Sequence, residues 1–209
     1  RRVLFRSVTD YYFAVYAYNN CGVSKVYSNS ALIVKESSDK IAQIITFSPI
    51  AGKTYGDADF KPDAFSDQGL PVTFTTSDPN VAVVLSGKIH ITGAGTCTVF
   101  ANQAGDATRK AAPEVSQTLT VSKAELTVTA DNKTVKHGEN APEFTYSFSG
   151  FVNGDTESDI IGSATLNSTY TNTTPVSASP VAINCTTGSL WSTDYNFNFV
   201  SGQLIIEQG

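Results

Sequence analysis

Apolar and polar residues alternate in short runs along this chain, and nowhere do they recur at the spacing of a helix face. Between Thr96 and Ala101 the residues Cys97, Val99 and Ala101 fall on one side of an extended backbone, with Thr96, Thr98 and Phe100 on the other. Val72–Thr76 is a further β run. Val81–Leu85 and Lys88–Thr92 flank Ser86-Gly87, the right length for a two-residue hairpin loop. The stretch Gly69–Ala101 is therefore the β-rich centre of a module expected over Ile41–Lys123. Ile44–Phe47 opens that module and Gln117–Val121 closes it. Gly52–Tyr55 and Pro62–Phe65 give weaker strand signals around a Gly56-Asp57 turn, and Ser77–Asn80 and Gly93–Gly95 carry turn chemistry.

The same pattern starts again at Ala124 and runs to the end of the chain. Leu126–Val128, Phe144–Phe148, Ala164–Tyr170 and Val181–Cys185 are its expected strands, and Tyr195–Val200 with Gln203–Glu207 is expected to form a hairpin through Ser201-Gly202. Lys53-Thr54-Tyr55-Gly56-Asp57-Ala58 is echoed by Lys133-Thr134-Val135-Lys136-His137-Gly138-Glu139-Asn140-Ala141, and Gln117-Thr118-Leu119 by Gln203-Leu204-Ile205. A period of roughly 80 residues suits serial sandwiches rather than a solenoid of 20–50-residue units. Ahead of both modules, Thr9–Lys35 alternates as one long hairpin turning at Asn19–Gly22, and Glu36–Lys40 is a polar linker. The expected fold is all-β: tandem Ig-like β-sandwich modules, 41–123 and 124–209, with a leading β-hairpin over 8–36.

Composition supports that picture. Among 209 residues there is no Met, only 16% are charged, and the formal net charge is −5. The acidic balance argues against nucleic acid as a partner. No run approaches the roughly 18 apolar residues of a membrane-spanning helix, so no membrane insertion is expected. Cys21, Cys97 and Cys185 fall one to a module, too far apart for an expected disulfide, and Cys97 and Cys185 sit in register with apolar strand neighbours. Arg1–Ser7 resembles a translated sequencing-adapter oligonucleotide. It is expected to be a library artefact on a truncated gene and to stand outside the fold.

Catalytic chemistry finds no foothold in the pattern. His90 stands between Ile89 and Ile91 and faces away from them, and His137 lies in a turn beside Gly138. Neither has a nucleophile at motif spacing, and the phosphate-loop, zinc-helix and serine-elbow patterns are missing. Asn153, Asp155, Glu157 and Asp159 alternate as calcium-loop ligands do, but Ile160-Ile161 follow where a bidentate acid would be needed, so a solvated turn is expected. Asp57, Asp59 and Asp63 are read in the same way. No catalytic residue, cofactor or metal is expected. Exposed aromatic rings bind sugars by stacking, which makes Trp191, Tyr195 and Tyr170 the candidate binding residues. The alternative for Trp191 is that it plugs one end of the sandwich together with Leu190.

Three resemblances follow from quoted stretches. YYFAVYAYNNCGVSKVYSNSALIV resembles the last two strands of a fibronectin type III domain, which implies that Tyr11 is its corner tyrosine. GLPVTFTTSDPNVAVV with GKIHITGAGTCTVFANQAG resembles a bacterial immunoglobulin-like repeat, in which Gly93 and Gly95 permit positive φ and close backbone approach. LTVTADNKTVKHGENAPEFTYSFSGFVNGDTESD with YNFNFVSGQLII resembles the MBG-type module of bacterial adhesin-like proteins. It departs from that family where Ser177–Pro180 follows Pro175-Val176. These resemblances imply a non-catalytic spacer in a large secreted or cell-surface bacterial protein. Its partners would be other domains of the same longer chain, or a glycan or protein at a surface. The alternatives are a binding module using the Trp191 loop and accessory domains of a secreted hydrolase.

Overall fold

The computed structural model describes the backbone of residues 3–6, 11–14, 16–17 and 25–26, and the whole of residues 40–209. Strand β1 (Val3–Arg6) pairs antiparallel with β2 (Tyr11–Ala14), and β3 (Tyr16–Ala17) with β4 (Lys25–Val26). Part of the segment set apart as an artefact thus takes a strand position. The rest of the expected hairpin, the side chain of Tyr11, Cys21 and the linker Glu36–Asp39 lie outside the described residues.

From residue 40 onward the chain is β with two short 3-10 turns. The first repeat consists of β5 (Ile45–Phe47), β6 (Lys53–Thr54), β7 (Ala64–Ser66), β8 (Thr73–Thr76), β9 (Ala82–Leu85), β10 (Lys88–Ile91), β11 (Gly95–Asn102) and β12 (Val115–Ser122). The second consists of β13 (Ala124–Ala130), β14 (Lys133–Lys136), β15 (Tyr146–Ser149), β16 (Thr165–Ser168), β17 (Val181–Thr186), β18 (Tyr195–Val200) and β19 (Gly202–Glu207).

Their sheets repeat one plan. A four-stranded sheet runs β6-β12-β11-β8 in the first repeat and β14-β19-β17-β16 in the second. In each, the second strand lies parallel to the last, and the opening strand pairs antiparallel with the third, β5 with β7 and β13 with β15. Alternation along β11 and β12 turns Cys97, Val99, Ala101, Leu119 and Val121 inward, where Ile45 and Phe47 of β5 and Ile89 and Ile91 of the β9–β10 hairpin complete the core. In the second repeat Leu126 and Val128 of β13 face Ile183 and Leu204 of the opposing sheet, all four fully buried. Each such aliphatic side chain contributes about 1.5–3 kcal/mol by leaving water.

Several sequence-level expectations meet their local physics here. Ser86-Gly87 turns the β9–β10 hairpin with φ of 51° and 76°, the left-handed pair that a two-residue loop demands. Gly95 takes φ 146°, whereas Gly93 keeps an ordinary φ and is required because a Cβ there would strike the Asn80 carbonyl. The expected terminal hairpin is not formed. β18 lies parallel to β13 in one sheet, while β19 joins β14 and β17 in the other. At Ser201-Gly202 the chain therefore crosses between layers rather than folding back, and Gly202 is held so close to the backbone of Ala130 and Asp131 that no side chain fits.

Candidate functional site

Between β12 and β13 stands a single residue, Lys123, so the last strand of one repeat runs almost directly into the first strand of the next. So short a connection places the turn after β6 of the first repeat against the 150–160 loop and the residues before β18 of the second. The contact is ordered. The Tyr55 hydroxyl donates to Asp155 Oδ2 at 2.9 Å, and the Tyr195 hydroxyl donates to the same oxygen at 2.7 Å. Tyr195 in turn accepts the Val152 backbone N–H at 3.0 Å. Tyr55 is 8% exposed and Tyr195 is 3% exposed. Burial pushes both phenols above their ordinary value, and the neighbouring Asp155 carboxylate adds to the shift.

Aromatic packing follows the same line. Tyr55 meets Tyr195 edge to face at 5.6 Å between ring centroids, Tyr195 meets Phe151 at 5.8 Å, Phe151 meets Phe148 at 5.7 Å, and Phe148 meets Tyr146 at 5.5 Å. A row of five rings thus leads from the interior of the second repeat across the boundary into the first. Edge-to-face pairs add about 0.5–1.5 kcal/mol each beyond the area they bury.

Backbone contacts close the rest of the junction. Asp194 Oδ1 accepts the Ala94 N–H at 2.7 Å, its carbonyl accepts the Ala124 N–H at 2.9 Å, and Lys123 Nζ donates to the Ser192 carbonyl at 2.7 Å. Gly56, at φ 94°, lies under Val152: a Cβ there would stand 2.7 Å from the valine side chain.

The sequence-level candidates separate in this frame. Tyr195 belongs to the junction. Tyr170 is buried with its hydroxyl on the Glu139 carbonyl at 2.8 Å. Neither offers a free ring face to a sugar. Trp191 is the one that stays outside, 56% exposed, and the expectation that it plugs the sandwich is overturned, because Leu190 alone turns inward. A paired backbone bridge to Ile161 fixes Trp191, and Ile161 is itself 61% exposed. The three candidates do not form one surface.

The expected solvated turn at 153–159 is likewise corrected, since Asp155 is half-buried and accepts two tyrosine hydroxyls. Asp159 instead accepts the Thr156 N–H at 2.8 Å. Asp57 and Asp63 are engaged by Thr54 and Ser48, and Asp59 lies 2.7 Å from the His90 ring nitrogen. Among the described residues no three His, Cys, Asp or Glu side chains converge as metal ligands would. Cys97 and Cys185 are buried thiols, pushed up by burial and so poorly nucleophilic.

From sequence Asp155 reads as one of four alternating calcium-loop-type positions and Tyr55 as the end of a weak strand signal, and neither reading points to the junction they make. The available signal was the echo between Lys53–Ala58 and Lys133–Ala141, in which a tyrosine and a histidine occupy the same place before a glycine. No curated protein matches the chain. Its second repeat is similar to a known protein family: residues 126–205 match the one described as MBG domain (YGX type).

Proposed function

We propose that this chain is a non-catalytic spacer, two sandwich modules joined stiffly in series, from a secreted or cell-surface adhesin-like bacterial protein. The observation that carries the reading is the junction. A one-residue connection, a shared carboxylate and a continuous row of rings hold one module on the next, the property needed to keep a distal part at fixed reach. The similarity of residues 126–205 to the MBG domain supports an adhesin-like setting.

The reading is tested by 15N relaxation on the whole chain. Residues 41–123 and 124–209 should share one rotational correlation time, and Asp155→Ala should split it in two. Independent tumbling of the unmodified modules would overturn the spacer reading.

A second reading has its own support. Trp191 and Ile161 present adjacent apolar surface on a backbone fixed by two hydrogen bonds, Trp191 N–H to the Ile161 carbonyl at 2.9 Å and the reverse at 3.2 Å. A rigid exposed tryptophan is a platform for a sugar ring or a protein side chain. Glycan-array binding that disappears in Trp191→Ala would establish it, and an array without signal would sink it.

A further inference from the structure

The two repeats can be superposed residue by residue through their hydrogen bonds, without reference to sequence identity. Thr54 is the register partner of Ser122, and Lys136 of Glu207. The next N–H in each case returns to that partner, Tyr55 to the Ser122 carbonyl at 2.9 Å and His137 to the Glu207 carbonyl at 2.8 Å. The following turns also match: Asp57 N–H bonds Thr54 O and Glu139 N–H bonds Lys136 O, around Gly56 at φ 94° and Gly138 at φ 96°. His137 therefore holds the place of Tyr55, Gly138 that of Gly56, Gln208 that of Lys123 and Gly209 that of Ala124.

At the first set of positions a β repeat is docked. At the second the surface is open. His137, Gly138, Gln208 and Gly209 are all exposed, and a Cβ on Gly138 would meet nothing within 4 Å, where its counterpart on Gly56 would collide with Val152. His137, Gln208 and Gly209 line an open depression of about 340 Å³ together with Pro175 and Val176.

We infer that this pole is a second docking socket, and that its occupant is another β repeat of the same kind. The incoming repeat would place a turn like Phe151–Asp155 over Gly138 and its aspartate on the ring of His137. Phenol and imidazole both carry a hydrogen-bond donor on an aromatic frame, so the carboxylate keeps a partner. Gly209 stands where a following first strand would start, in the register that Ala124 has after Lys123. The inference rests on reading the repeats as spacer modules, and it adds the direction in which the array extends.

The test joins a second copy of residues 125–209 directly after Gly209 of the full chain, so that Gly209 takes the place of Ala124 and Gln208 remains the single connecting residue. All three repeats should then share one correlation time by 15N relaxation, and the His137 and Gly138 amide signals should shift from their positions in the unextended chain. His137→Ala should leave the thermal midpoint of the unextended chain unchanged and, in the extended chain, release the added copy to tumble separately. If the added copy tumbles on its own while residues 41–123 and 124–209 still move together, the socket is refuted and the spacer reading stands. If those two also separate, both fail. Docking that persists unchanged in His137→Ala overturns the inference as well.

Discussion

The two repeats solve the same problem with different materials. Both need to close the side of the core left open between the four-stranded sheet and the opening strand. The second repeat does so with a whole strand: β18 lies parallel to β13 along six residue pairs and brings Phe197 and Phe199 against the core. In the first repeat only a single parallel bridge, Ile41 to Arg109, stands in the corresponding place. A polar clamp does the remaining work. Gln43 donates to the Lys110 carbonyl at 2.6 Å and to Gln103, and accepts from Ser66 at 2.6 Å, with Gln43, Ser66 and Gln103 all buried. Asp106 orders the loop beyond by accepting the Thr108 and Arg109 backbone N–H groups, and these bonds hold its carboxyl well below the usual range. The difference teaches that the topology tolerates replacement of a strand by a clamp of buried, mutually hydrogen-bonded polar side chains.

The comparison can be broken most strongly at Tyr195. Its ring belongs both to the core of the second repeat and to the junction, so Tyr195→Ala should cost about 3–5 kcal/mol by cavity formation. Urea denaturation followed by circular dichroism should show the second repeat unfolding well before the first. Asp155→Ala acts on the junction through Tyr55 and on the 150–160 loop of the second repeat through Tyr195. It leaves the buried Tyr55 hydroxyl without its acceptor, at about 1–3 kcal/mol, while the Tyr195 hydroxyl keeps the Val152 backbone, and calorimetry should resolve one transition into two.

The polar clamp comes next. Gln43→Leu leaves Ser66 and Gln103 short of partners and should destabilise the first repeat by about 1–3 kcal/mol, with the midpoint of the second unchanged. The paired positions Tyr55 and His137 sharpen the equivalence of the repeats. Tyr55→Phe should cost about 1 kcal/mol, while His137→Phe, with nothing docked on it, should stay within about 0.5 kcal/mol.

The smallest effect is on pH. Tyr55 and Tyr195 are raised above the ordinary 10.0, so the unfolded chain releases these protons first. Their contribution is complete below pH 10 and is lost as pH rises above it. Cys97 and Cys185 act in the same direction from 9.0. The alkaline loss should therefore shrink, without vanishing, in Tyr55→Phe.

Much of the fold was legible because strand formation is written in nearest neighbours. Alternation at Cys97-Val99-Ala101, the Ser86-Gly87 turn and the close approach at Gly93 depend on the pleat, on φ and on one nearby carbonyl. The binding candidates were less legible. Trp191 and Tyr195 lie four residues apart in one loop and look alike in sequence, yet one is at the surface and the other buried, because the facing repeat covers only Tyr195.

By itself the sequence determined the all-β class, the strand periods and the repetition of a plan across about two equal lengths, since each follows from local propensity and side-chain alternation. Only the tertiary structure decided three things: that β18 and β19 part into different sheets, that a tyrosine just after the second strand of one repeat meets an aspartate of the next, and that Trp191 faces water. Those outcomes depend on contacts between residues up to 100 positions apart, and no local pattern encodes the distance between two surfaces that meet only after both have folded.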